Sequence, residues 1–307
     1  MLRYIVRRVF MSIPVLFGVS VLVWAMVHLM PGDPIEIMSY GSAMSIEQRE
    51  ELRRVLGLDQ PMYVQYGRFL LKALHGDLGQ SMFTKRAVLG EILDQLPSTV
   101  ALTIGGMAVA IAIGFAFGIA SALRPNSWLD AMLMTTSFLG LSLPHFWLGL
   151  MLIFIFAVQL RWFPATGQGG LNRLVLPSVA LGWSFAAIIS RLVRQCLLDV
   201  MRQEYVLAAR AKGLRERAII WKHALKNMLI PVVTILGLQV GNMLGGAVVI
   251  ENVFARQGIG RLAVQALLRK DFPMVQGVVL LSAAFYVLLN ILVDLSYAWL
   301  NPRIRYR

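Results

Sequence analysis

The sequence predicts an all-α membrane protein with six transmembrane helices, and three observations carry that prediction. The chain is 58% hydrophobic and only 15% charged, with a mean hydropathy of +0.68, too apolar for a soluble domain of 307 residues. Six uncharged runs lie between Arg8 and Asp33, Asp94 and Arg124, Asp130 and Arg161, Arg173 and Arg191, Lys226 and Glu251, and Asp271 and Asp294. The shortest, between Arg173 and Arg191, has 17 residues, at the lower edge of the roughly 17–25 needed to cross a bilayer as a helix. Third, the positive charge collects in alternate segments. Residues 191–226 hold nine Lys and Arg against three Asp and Glu, whereas residues 31–95 hold seven against nine.

Taken in order, residues 1–30 read as a cytoplasmic N-terminus and first span. The apolar run is too long for a cleavable leader, and Met30-Pro31-Gly32-Asp33-Pro34 reads as a helix stop. Residues 31–95 form an outer cap segment. Within it, Ser45 as N-cap and Gln48 as its capping-box partner start a helix over Ser45–Leu56 that Gly57 stops, and a second amphipathic stretch covers Tyr63–Leu74. Residues 96–300 supply five more helices, interrupted by the basic segment 204–226, and residues 301–307 are a tail. By the positive-inside rule both termini and the 204–226 segment face the cytoplasm.

The spans carry packing signals. Gly114 and Gly118, and then Gly237, Gly241 and Gly245, recur at four-residue spacing, which lets helices approach closely in lipid. Pro144 and Pro177 are expected to kink or start the third and fourth helices. Polar residues placed along the spans, Thr103, Ser137, Gln239 and Asn242, are the candidates for a translocation pathway.

Several function classes drop out. The formal charge of +13 is a topology signal, so no nucleic-acid partner is expected, while contact with membrane lipid is. No phosphate loop, zinc-protease helix or serine nucleophile elbow is present. The four histidines and the single Cys196 have no metal-ligand spacing, so no catalytic, cofactor or metal residue is assigned. An ion-coupled carrier is the alternative class. The carboxylate that would serve it is Asp294, one helical turn after Asn290 and near the inner end of the last span.

The most informative segment is Glu204 to Pro231. Arg210, Lys212, Arg215, Arg217, Lys222 and Lys226 keep it out of hydrocarbon, and the isolated Gly213 predicts a helix-turn-helix. At 100° per residue, Leu214, Ala218, Trp221 and Leu225 share one side, and Lys212, Arg215, Lys222 and Lys226 another. Its order Leu207-Ala208-Ala209-x-x-x-Gly213 resembles the E-A-A-x-x-x-G loop of permease subunits of ATP-binding-cassette (ABC) importers. It departs from the pattern at Leu207, where Glu is usual, and at Lys226, since the proline waits until Pro231; both departures look like the peptide-type branch.

The likeness runs along the chain. Met30–Pro34, Leu56-Gly57-Leu58-Asp59-Gln60-Pro61, Gly76-Asp77-Leu78-Gly79, Trp162-Phe163-Pro164, the run Gly245–Glu251 and the ending Asn301-Pro302-Arg303-Ile304-Arg305-Tyr306 are similar to the dipeptide, oligopeptide, glutathione and nickel permease family. Ala255-Arg256-Gln257-Gly258 departs from it, since members commonly carry Trp-Pro before the glycine.

The resemblance implies a type I ABC importer permease fold with a cytoplasmic coupling helix. It makes Glu204, Tyr205, Ala208, Ala209, Lys212, Gly213, Leu214, Trp221 and Leu225 the ATPase-coupling residues. It also implies a bacterial inner-membrane location, a second homologous permease subunit, two cytoplasmic ATPases that bind ATP and Mg, and a periplasmic or lipid-anchored solute-binding protein. The cargo it implies is di- or oligopeptides, glutathione among them, with a nickel-chelate importer as the alternative.

Overall fold

The computed structural model describes residues 2–29, 45–56 and 59–300, and over these the chain is helical, with one isolated β-bridge between Gln80 and Ala87. The helices are α1 (Leu2–Leu29), α2 (Ile46–Leu56), α3 (Met62–Leu74), α4 (Val88–Leu123), α5 (Trp128–Ser142), α6 (His145–Leu152), α7 (Asn172–Met201), α8 (Glu204–Ala211), α9 (Glu216–Ala218), α10 (Leu225–Val253), α11 (Ile259–Arg269) and α12 (Phe272–Leu300). Five of them, α1, α4, α7, α10 and α12, are long and apolar enough to cross a bilayer. The helix stop at Met30–Pro34, the stop at Gly57 and the tail 301–307 lie outside the described residues, as do the side chains of His28 and Asp294.

The third span is not one helix. Pro144 has no N–H to continue α5 and instead caps α6 with φ −59, and the chain bends by 108° between α5 and the helix that runs from His145 to Gln159. The last part of that second arm, Ile153–Gln159, is wound as a π-helix. The run between Asp130 and Arg161 is therefore a broken span, where uncharged length alone suggested a straight one. Pro177 starts nothing: α7 begins at Asn172 and passes through it.

The chain divides into two compact units, one of residues 98–261 with 289–307, the other of residues 2–97 with 262–288. In the first, α7 is the central element, with most of its apolar stretch buried, whereas the apolar stretch of α1 in the second is mostly exposed. It packs on α5, α6 and α10, around Leu102, Leu181, Ile189, Val193, Leu197, Met243 and Ile250. The α4–α7 approach is set by missing side chains. A Cβ on Gly114 would meet Ile189 Cγ2 at 2.6 Å, and one on Gly118 would meet Val193 Cβ and the Ser190 carbonyl at 2.7 Å. Gly245 behaves differently from expectation, since its Cβ would meet nothing within 4 Å, while its neighbour Gly246 faces Leu181 at 3.1 Å.

In the second unit the cap segment is built by local chemistry. Ser45 and Gln48 form the reciprocal capping box, at 3.0 and 3.2 Å, that starts α2. Tyr66 of α3 stands between Phe17 and Trp24 of α1 in two edge-on ring contacts, and its hydroxyl pairs with Ser20 Oγ at 2.8 Å. Ser81 donates to the buried Asp271 carboxylate, which also accepts from the Met82 N–H at 3.1 Å, joining the bridged loop to the start of α12.

Candidate coupling segment and buried charge locks

The 204–226 segment breaks where the isolated glycine stands. Gln203 leaves α7 in an extended conformation, and Glu204 takes the first helical position of α8, where its charge complements the helix dipole. The helix ends in a Schellman motif. Lys212 is the C-cap, Gly213 follows with φ +76, its N–H reaches the Arg210 carbonyl at 2.9 Å, and the Leu214 N–H reaches the Ala209 carbonyl at 3.2 Å. A side chain at that φ would meet open space, so glycine is needed for its backbone alone. Arg210 then donates to both carboxylate oxygens of Glu216, at 2.6 and 3.3 Å, across the turn. That pairing raises the Arg210 pKa, but both side chains are exposed, so it guides the turn more than it stabilises it.

The two alanines part company. Ala209 is buried with Val206 and Ile219 in a small cluster flanked by Met201 and Tyr205, so it closes the segment on itself. Ala208 is exposed, as are Glu204, Lys212 and Gly213. Leu207, Leu214 and Trp221 expose 56%, 44% and 68% of their surface, leaving apolar side chains beside cations on a surface that the described residues do not cover. Tyr205 is half-buried, and its hydroxyl accepts from Asn227 Nδ2 at 2.7 Å.

Leu225 is buried and does not share the exposed side with Leu214 and Trp221. The single apolar arc read from the sequence fails for two reasons. Leu214 precedes the helix that starts at Glu216, and Ile219–Ala224 is π-helical, which shifts the side-chain register before α10 begins.

Of the pathway candidates, Thr103 is buried and its hydroxyl donates to the Thr99 carbonyl at 2.9 Å within α4. Ser137 is buried, and its Oγ has no hydrogen-bond partner among the described residues. Gln239 and Asn242 pair one turn apart on α10 at 3.1 Å, the first buried and the second exposed. The hydrogen bond of Thr103 stays within α4, and the one between Gln239 and Asn242 stays within α10.

Two charge locks escaped the sequence reading, which located membrane carboxylate only at Asp294. At the foot of α5, buried Asp130 accepts from Arg194 Nε at 2.8 Å and Nη2 at 2.6 Å, from Ser121 Oγ, and from the Asn126 N–H at 3.0 Å. Ends of α4 and α5 are thereby fixed to α7.

The second lock lies at the opposite end. Thr99 Oγ1 donates to the fully buried Glu251 at 2.6 Å while accepting from the Ile259 N–H at 2.9 Å, and Glu251 also accepts from the Arg261 N–H at 3.1 Å. Gly258 passes so close that a Cβ there would sit 2.2 Å from the carboxylate. Beside it, buried Arg256 donates to Ser98 Oγ and to the Arg173 carbonyl, both at 3.3 Å. That carbonyl stands four residues before Pro177, whose missing N–H cannot occupy it. Burial lowers the Arg256 pKa and the nearby Glu251 charge opposes that shift; the guanidinium stays protonated throughout the physiological range.

Residues 114–306 match the family model described as binding-protein-dependent transport system inner membrane component, and residues 1–103 match the model of the N-terminal part of such components. The chain belongs to this family. It is 42% identical, over all 307 residues of both chains, to the glutathione transport system permease protein GsiC of Escherichia coli (strain K12) and equally to that of Shigella dysenteriae serotype 1. Two inward-facing crystal forms of the MetNI methionine ABC transporter superpose with TM-scores of 0.56 and 0.58, at 19% identity, over 68% and 69% of this chain and 96% of theirs. This permease therefore has the type I ABC importer fold and is a multi-pass inner-membrane component of a binding-protein-dependent importer.

Proposed function

We propose that this permease moves peptides, with glutathione among its cargo, from a solute-binding protein on the outer side to the cytoplasm. Full-length identity to permeases named for glutathione transport supports this cargo class over nickel chelates. In this reading both termini and the 204–226 segment are cytoplasmic. The permease pairs with a second homologous permease subunit and two ATPases; ATP and Mg bind to those ATPases, which carry out the hydrolysis.

The observation that carries the coupling role is the Schellman-closed turn at Gly213, which leaves Leu207, Ala208, Lys212, Leu214 and Trp221 on uncovered surface. Small Ala208 lets a partner surface approach, the neighbouring leucines and Trp221 supply apolar area, and the rigid turn transmits displacement to α7 and α10. ATP binding draws the ATPases together and opens the cavity outward; hydrolysis resets it.

Two variants test it. Gly213→Val forces a β-branched residue into a left-handed conformation that costs roughly 1–2 kcal/mol, and Ala208→Trp adds bulk at an exposed position without touching the Ala209 cluster. Both are expected to insert and assemble but to lose substrate-stimulated ATP hydrolysis and uptake. Normal transport by both would overturn the coupling assignment.

A further inference from the structure

A cleft of about 610 Å³ opens between α5 and α7, lined by Met134, Thr135 and Phe138 on one side and Arg191, Arg194, Gln195, Leu198, Asp199 and Arg202 on the other. Its lining includes none of the coupling residues named above, although Arg202 stands two residues before Glu204, and nothing in the importer cycle above uses it. Its residues are ordered by depth. The uncharged stretch of α7 ends at Arg191, so Arg191 and Arg194 stand where hydrocarbon gives way to headgroups. Phe138 lies eight residues beyond Asp130 on α5, about 12 Å further into the membrane at 1.5 Å per residue, because Asp130 is level with its partner Arg194.

The cleft is thus cationic at phosphate depth and apolar beneath. Phe138 is 56% exposed there. Arg191 and Arg202 have no ion-pair partner among the described residues, and Arg194, held rigid by Asp130 through Nε and Nη2, keeps Nη1 as a remaining donor. A fixed guanidinium with the unpaired Arg191 one helical turn away matches a phosphodiester; Arg202, eight residues or about 12 Å further along the chain and beyond Asp199, adds to the surface attraction, and the wall of Met134, Phe138 and Leu198 matches an acyl chain.

We propose that this cleft is a specific seat for an anionic phospholipid of the inner leaflet, its phosphate held by Arg191 and Arg194 and its acyl chain along Phe138. The lipid would brace α5, the first arm of the broken span, against the central helix α7. A basic pocket between spans on the cytoplasmic side has the chemistry that recognises such headgroups. The assignment rests on the orientation proposed above. Labelling Arg124→Cys in a Cys196→Ser background from either side of the membrane tests that orientation separately.

The test is native mass spectrometry of the purified transporter complex after delipidation, with phosphatidylglycerol or phosphatidylcholine added back. The wild type is expected to retain phosphatidylglycerol in preference to phosphatidylcholine. Removing each arginine weakens retention about five-fold, so Arg191→Gln with Arg202→Gln loses the preference. The conservative pair Arg191→Lys with Arg202→Lys keeps most of it and controls for folding. Equal retention of both lipids by the wild type, or undiminished retention by the glutamine pair, would overturn the proposal. So would displacement by millimolar inorganic phosphate, marking a free-anion site, or by peptide substrate, marking a stretch of the translocation pathway.

Discussion

At the scale of single residues, this permease uses backbone permissiveness and buried charge in places where neighbours leave no alternative. Gly258 is a strict case, because any Cβ collides with the Glu251 carboxylate that also holds the Ile259–Arg261 turn through Thr99 and backbone N–H groups. Gly258→Ala is therefore expected to lower the thermal stability of the purified complex by an amount equivalent to about 1–3 kcal/mol, the usual cost of overpacking. Glu251→Gln, which keeps the shape and most hydrogen bonds, is expected to cost less, and a larger loss for Glu251→Gln would mean that the charge, not the fit, holds the turn. Gly213 was legible in the sequence because a lone glycine between two amphipathic stretches has few other uses. The Glu251 lock was not, since Thr99 and Glu251 are separated by 152 residues and no local pattern couples them.

At the scale of elements, uncharged run length located the five continuous spans, and proline placed the break in the remaining one. Run length cannot report a bend, so the 108° turn at Pro144 needed the structure. The register of Leu225 was lost for a related reason: a six-residue π-helical stretch, Ile219–Ala224, has no signature in hydrophobic spacing. What ties the bent arm down is the Asp130–Arg194 pair. Asp130→Asn strands a guanidinium that is only partly exposed, and breaking one side of such a pair costs up to about 3–5 kcal/mol, less here because solvent reaches Arg194. Thermal unfolding of the complex should show that loss, and the double variant Asp130→Asn with Arg194→Met should recover part of it. A double variant no better than the single one would show that the two residues act independently. Packing between α4 and α7 gives a second element-level expectation. Gly114→Leu must displace Ile189, and it should reduce the yield of folded permease far more than Gly245→Leu, whose Cβ meets open space; equal effects would mean the glycine spacing is incidental.

At the scale of the whole molecule, the division between what this chain does and what it leaves to others explains its composition. It has no nucleotide-binding motif and no metal cluster among the described residues, yet it places a turn with exposed apolar and basic side chains between α7 and α10, which pack on each other. The buried carboxylates among the described residues are already committed: Glu91 to Thr84, Asp130 to Arg194, Glu251 to Thr99 and backbone amides, Asp271 to Ser81 and Met82. A carboxylate engaged by several donors is a poor shuttle, because each proton taken up would dismantle the lock it maintains. Uptake in vesicles carrying the assembled transporter is therefore expected to require internal ATP and external binding protein and to be unchanged when a proton ionophore collapses the gradient at constant ATP. Uptake that follows the gradient and ignores ATP would assign the energy source to this chain and return the carrier reading to first place.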